Sequence, residues 1–219
     1  MFLCLRVDLD YVPWDTPDAK EFGHGEPALL LRLLDYARES GLKVHAFASE
    51  RALRAFSSLP DAILGEGHHL DWLCKHPEQE ARFREAQDLF KLAGSDIQGL
   101  ALKQPWPEGF EPAWLSELHF VSGPEGHLPR RLHPFRVETS LDREASRGGQ
   151  TSRAWTDQVK RQLREAASRN HVSILPVRPQ VLARYDPKLD HLSEIIDIAR
   201  AVGLKVRTMR EILAETKIA

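Results

Sequence analysis

Apolar positions in the first third of the chain fall into two alternating periods. Residues 2–7 (Phe-Leu-Cys-Leu-Arg-Val) form a mostly apolar run of the kind buried on both faces of a parallel sheet. After a Pro- and Asp-rich loop over residues 11–27, Leu29, Leu30, Leu33, Leu34 and Ala37 recur at helical spacing up to Gly41. A second strand is predicted over residues 42–48 and a short third one around 62–64. That third strand leads into a His-rich segment, 66–76, followed by a polar helix over 78–93 stopped by Gly94.

Strands are further predicted over 97–102, 118–121, 135–139, 171–177 and 204–207. A long charged helix over 152–168, another near 189–202 and a short final helix complete the alternation. Seven or eight strands alternating with helices predict an α/β fold with a parallel sheet, either a closed barrel or an open doubly wound sheet. In both, ligands bind at the carboxyl ends of the strands, so the residues just past each strand are the ones that matter.

The chain has 219 residues, enough for one domain with a sizeable core, and residues 1–219 are read as a single domain. Hydrophobic residues at 42% and charged residues at 28% exclude a disordered chain. A net charge of -2 gives no pull toward nucleic acid or an anionic membrane. The basic stretch Arg130–Arg136 reads as a solvated loop. The Arg/Lys-rich helix 153–169 also carries Asp157 and Glu165 and reads as a mixed-charge face, so no nucleic-acid partner is expected. No run approaches the ~18 apolar residues of a membrane span. The first residues lead straight into charge without a signal peptide, so a cytoplasmic location is expected. Cys4 and Cys74 cannot form a disulfide framework; Cys4 reads as a small hydrophobe, and Cys74 sits among candidate metal ligands.

Two places carry candidate chemistry. Asp8 and Asp10 end the first strand at i, i+2 spacing, which puts both on one face of an extended chain. Like charges this close require a cation or a shared proton, which suggests one metal ligand and one base. Residues 66–76 hold His68, His69, Asp71, Cys74 and His76, the donor types of zinc and related ions. His24 lies in the loop after the first strand. Trp14, Trp72 and Trp106 fall in loops at the predicted mouth, where aromatics can stack on a sugar ring. His119, His127, His133 and His191 read as surface or strand residues.

The order of these motifs resembles the polysaccharide deacetylase (NodB-homology) family. Asp-x-Asp follows strand one, Val44-His45-Ala46-Phe47 resembles the family's second strand, and Glu66-Gly67-His68 leads to His76-Pro77. Lys103-Gln104-Pro105 resembles its Arg-x-Pro segment, Val172–Pro179 stands where it has Leu-x-His, and residues 195–213 resemble its last helix and strand. The resemblance implies an irregular (β/α) barrel of about seven strands. It implies metal-assisted removal of an acyl group from a small N-acylated or acetylated, sugar-like substrate, with a divalent ion, zinc foremost, as cofactor. Carried over, Asp8 is the base, and Asp10, His69 and His76 hold the metal, with His68 or Asp71 as alternatives to His69. The departures are equally specific. The family's metal histidines stand four residues apart, and four before His76 is Trp72. Lys103 replaces the arginine that pairs with the base, keeping charge but losing the bidentate fork. Arg178 replaces the general-acid histidine and cannot donate a proton usefully at neutral pH, although it can stabilise an oxyanion or hold an anionic substrate. A non-catalytic barrel that binds a sugar or an anion is therefore the alternative expectation.

Overall fold

A computed structural model describes residues 1–11, 27–124, 126–137, 151–169 and 171–217. Its strands are β1 (Phe2–Leu9), β2 (His45–Ala48), β3 (His69–Cys74), β4 (Gly99–Leu102), β5 (Phe120–Pro124), β6 (His133–Val137), β7 (Val172–Val177) and β8 (Lys205–Val206). The helices are α1 (Pro27–Glu39), α2 (Glu50–Ala55), α3 (Leu59–Gly65), α4 (Glu80–Leu92), α5 (Ser152–Arg169), α6 (Pro179–Tyr185), α7 (Asp190–Ala201) and α8 (Met209–Lys217). A 3₁₀ turn covers Ala113–Glu117.

Every strand pair is parallel, in the order β6-β5-β4-β3-β2-β1-β7, and the two-residue β8 also pairs with β1. Strands that follow one another in sequence are neighbours from β1 to β6, so the sheet winds in one sense, as in a barrel rather than a doubly wound sheet. β6 and β7 approach each other across the seam, with no ladder between them among the described residues. The result is a nearly closed (β/α) barrel of seven main strands.

Alternation along β1 shows how the sequence builds its two cores. Leu3, Leu5, Val7 and Leu9 face the helical layer and pack with Leu30, Leu33 and Leu34 of α1 and with Leu192 and Ile196 of α7. Cys4 faces the barrel interior with Phe47, Leu73, Ala101, Phe120, Phe135 and Ile174. Met209, Ile212 and Leu213 of α8 join that interior cluster and close the amino-terminal end of the barrel. Gly99 is required there: a Cβ at this position would lie 2.3 Å from the Phe120 ring. Gly41, at φ +63°, ends the turn after α1 as its sequence position predicts.

One strand is corrected by the structure. Residues 62–64 belong to α3, which starts with Pro60 in its first turn, where proline is pre-organised for a helix. A three-residue apolar run does not distinguish a buried strand from a buried helical turn. The third strand is His69–Cys74, inside the segment read as a ligand loop. Its polar residues face the barrel interior, which masks the usual apolar alternation. α2, α3 and α6 were not expected from the sequence.

Candidate functional site at the carboxyl end of the barrel

β1 places two acids at the carboxyl end, but in different surroundings. Asp8 is clamped by Arg6, two residues earlier on the same face of the strand. Arg6 Nε donates to Asp8 Oδ1 at 2.7 Å and Nη2 to Oδ2 at 2.8 Å. The remaining guanidinium protons reach Ser122 Oγ at 3.1 Å, the Ser122 carbonyl at 3.2 Å and the Leu102 carbonyl at 3.1 Å. Arg6 is 2% exposed, so this cation is buried and fully occupied, and it ties β1 to β4 and β5.

Asp10, two residues on, is also buried. The Ser49 hydroxyl donates to its Oδ1 at 2.8 Å. Its Oδ2 forms an ion pair with the Lys75 ammonium, and Lys103 Nζ lies 3.8 Å from the same oxygen. Burial alone would raise the Asp10 carboxyl; the two ammoniums and the Ser49 hydroxyl outweigh it and hold the group below its usual range. Beside Asp10 opens a cavity of about 180 Å³ lined by Ser49, Glu50, Arg51, Arg54, Lys75, His76 and Arg82. Burial raises the Glu50 carboxyl in this wall above its ordinary value.

The opposite, amino-terminal end of the barrel holds the other polar cluster. Met209 N–H donates to His45 Nδ1 at 3.0 Å, which leaves the His45 proton on Nε2, pointing at Asp71 Oδ2 at 2.9 Å. Asp71 also accepts from the Gln98 and Gly99 amides and from Arg210 Nε and Nη2. Arg210 further binds the carbonyls of Leu70 and Asp96, so α8 is tied to β3 and to the approach of β4. His69 Nδ1 meets Thr208 Oγ1 at 2.6 Å, and Thr208 is held in turn by Glu211. Burial, helped by His45 and Arg210, lowers the His69 pKa to about 4. This end is a polar seal in which both Asp71 oxygens are fully engaged.

The structure therefore separates the residues proposed as metal ligands. His69 opens β3, at the same level as His45 in the ladder, whereas Asp10 lies past the carboxyl end of β1. Asp71 and His68 are no substitutes: Asp71 belongs to the amino-terminal seal, and His68 Nδ1 accepts from the Val44 amide on that side. The physical reason is the misplaced third strand, which made residues 68–71 look as if they followed a strand when they begin one. His76 does reach the mouth, where it lines the Asp10 cavity and faces Glu78 at 3.4 Å. Cys74 is buried at the end of β3, where it packs with Trp72 in the layer between sheet and helices rather than at the mouth, and burial pushes its thiol up.

Other expectations are corrected as well. Lys103 pairs with Asp10 rather than Asp8, whose partner is Arg6. Arg178 is buried just past β7, at the start of α6 and beside the Asp8 level of β1. Trp72 is fully buried against Phe83 and Trp114, because it points outward from β3 into the helical layer. Trp106 is 4% exposed, packed on Trp114 with its indole N–H donated to the Phe110 carbonyl. Neither presents a face for a sugar. Trp14 and His24 lie outside the described residues.

A divalent ion of the kind the resemblance implies does not fit this donor set. Asp10 already has a hydroxyl on one oxygen and an ammonium on the other, with a second ammonium nearby. A dication would have to enter beside both positive charges, and the other donors at the cavity among the described residues, His76, Glu50 and Glu78, do not converge on Asp10 as a ligand group. Among the described residues, no group of three or more His, Cys, Asp or Glu side chains is arranged to hold a metal.

Arg6, Ser49, Lys75, Ser122 and Arg210 were not singled out in the sequence. Arg6 carried a signal: a charge in the middle of a run otherwise buried on both faces, at i, i+2 from Asp8, needs a partner. Lys75 stood beside His76. Ser49 and Ser122 carried none, since serines at strand ends are common.

No family model matches the sequence, and no curated protein matches it. Solved structures do match over nearly the whole chain. BA3943 from Bacillus anthracis, described as a CE4 family pseudoenzyme, aligns with a TM-score of 0.63 at 13% identity over 97% of this chain and 65% of its own length. The chain thus spans about two thirds of that protein. The polysaccharide deacetylase Bc1974 from Bacillus cereus aligns at 0.62 and 11% identity over 94% and 91% of the two chains. Puue allantoinase aligns at 0.67 and 13% identity over 96% and 88%. Likeness in three dimensions at such low identity, on an all-parallel barrel wound in chain order, shows that this chain has the fold of the CE4 polysaccharide deacetylases.

Proposed function

We propose that this chain is a deacetylase-fold barrel that binds an anionic, sugar-like ligand at its carboxyl-end mouth and does not carry out metal-assisted hydrolysis. One observation carries the reading: the Lys75 ammonium sits on Asp10, with Lys103 beside the same oxygen, where a metal ligand would have to be free. Two further groups agree with it. Asp8, the expected base, has both oxygens engaged by Arg6, and an arginine, Arg178, holds the place expected of a proton donor. The mouth has exchanged proton-transfer groups for fixed cations, which favour holding an anion over activating water. The description of BA3943 as a pseudoenzyme supports the idea that this fold persists without its hydrolytic chemistry.

A metal-dependent hydrolase is the second reading, favoured by Asp10 and His76 lining one cavity. The two separate cleanly in one experiment. Purified protein is incubated with N-acetylated sugar oligomers and with zinc, nickel or cobalt, and released acetate is measured. No release is expected, whatever the metal. Acetate release that disappears in Asp10→Ala would reverse the conclusion.

A further inference from the structure

We propose that the mouth cavity takes the phosphate group of a small phosphorylated ligand, a phosphomonoester of about sugar size. The inference rests on the reading of the mouth as an anion site and names the anion. Around the cavity, carboxylates are outnumbered in two separate places. Asp10 is shared by Lys75 and Lys103, and Glu85 is shared by Arg54 and Arg82. Arg51, in the same wall, has no ion-pair partner among the described residues. Against this surplus stand Glu50, which burial makes easier to protonate, and Glu78, which faces His76.

The side chains that line the cavity carry four cations, Arg51, Arg54, Lys75 and Arg82, against Asp10 and Glu50, a surplus of two that is mostly guanidinium and falls to one when Lys103, Glu78 and Glu85 around it are counted. A carboxylate ligand would neutralise one charge, whereas a phosphomonoester brings roughly −1.5 to −2 near neutral pH and three acceptor oxygens. Guanidinium forks match those oxygens two at a time. The geometry suits this division: Ser49 and the Lys75–Asp10 pair form the floor, and Arg51, Arg54 and Arg82 stand on the exposed walls of α2 and α4. A volume of about 180 Å³ suits a phosphate with a small attached group.

The test is calorimetric titration of the intact chain in a phosphate-free buffer with chelator, using four probes: a hexose 6-phosphate, inorganic phosphate, a hexuronate and the free hexose. One site is expected for the hexose 6-phosphate, with inorganic phosphate competing. Arg51→Ala should weaken it roughly ten- to hundredfold, the usual effect of losing a charged hydrogen bond, with the melting temperature unchanged because Arg51 is exposed. Arg82→Gln should weaken it similarly. Hexuronate binding as tightly as the phosphate ester would overturn the phosphate assignment and leave the anion reading standing. No binding by either anion, or binding that appears only with added zinc, would overturn both. Unchanged affinity in Arg51→Ala and Arg82→Gln would show that the phosphate sits elsewhere.

Discussion

Replacing Arg6 by Met should unfold this protein more readily than almost any other single change in its barrel. Methionine retains most of the side-chain length and apolar volume, so the perturbation is mainly electrostatic. It removes two bonds to Asp8 and leaves that carboxylate buried without its cation. It also removes the donors to Ser122 and to the Leu102 carbonyl. Breaking one side of a buried ion pair costs about 3–5 kcal/mol. Each abandoned carbonyl or hydroxyl adds to that unless water enters, since an unsatisfied buried polar group costs about 1–3 kcal/mol. A loss of about 4 kcal/mol is therefore expected, against a total of roughly 5–15 kcal/mol for an ordinary domain. Urea unfolding followed by circular dichroism measures it as a fall in midpoint at constant slope. Asp8→Asn should be costly for the converse reason, and the double variant should lose less than the sum of the two. An Arg6→Met loss below about 1 kcal/mol, additive with Asp8→Asn, would refute the buried clamp.

Gly99→Ala forces a Cβ to within 2.3 Å of the Phe120 ring and should cost about 1–3 kcal/mol of overpacking, read as a lower melting temperature and partly relieved by Phe120→Leu. At the amino-terminal seal, His69 and His45 are both held neutral below the usual imidazole pKa, chiefly by burial, His69 down to about 4. Because the folded pKa is the lower one, unfolded chains bind protons first. Stability should be fully present above about pH 6.5 and fall as pH drops toward 4, and His69→Gln should flatten part of that slope in urea titrations. The His69 shift corresponds to at most about 3 kcal/mol, less for solvent screening of a ring only partly buried. Asp71→Asn keeps one acceptor oxygen for the Gln98 and Gly99 amides but removes the charge facing Arg210 and sets an NH2 donor against His45 Nε2 and Arg210 Nε, and should lower stability by about 3 kcal/mol or more in the same assay.

The barrel was legible because its outer face obeys simple periods: Leu3, Leu5, Val7 and Leu9 alternate, and α1, α5 and α7 carry apolar stripes at helical spacing. The pole of the barrel that carries Asp8 and Asp10 followed from strand order alone. The inner face was not legible, because this barrel fills part of its interior with charge. Arg6, His45, His69 and Asp71 occupy positions where a parallel strand normally carries aliphatic residues, so β3 looked like a loop. That displacement of one strand carried His68, His69 and Asp71 to the wrong end of the barrel and produced a metal site that the described residues do not assemble. Trp72 was misread for the same reason: as a strand residue it points outward into the helices. Lys75 and Lys103 show a different limit, since spacing cannot tell which of two nearby acids a flexible ammonium will choose.

The question of whether the mouth is a cation site or an anion site has one direct measurement. Purified protein is analysed for bound metal after incubation with zinc, nickel and cobalt and removal of the free ions, beside Asp10→Ala, His76→Ala and a Lys75→Ala/Lys103→Ala double variant. The ion pairs on Asp10 predict no specific metal in the native protein, and uptake only when both lysines are gone. Near-stoichiometric metal in the native protein, lost in Asp10→Ala and His76→Ala, would contradict the proposed function and restore the mouth as a metal centre.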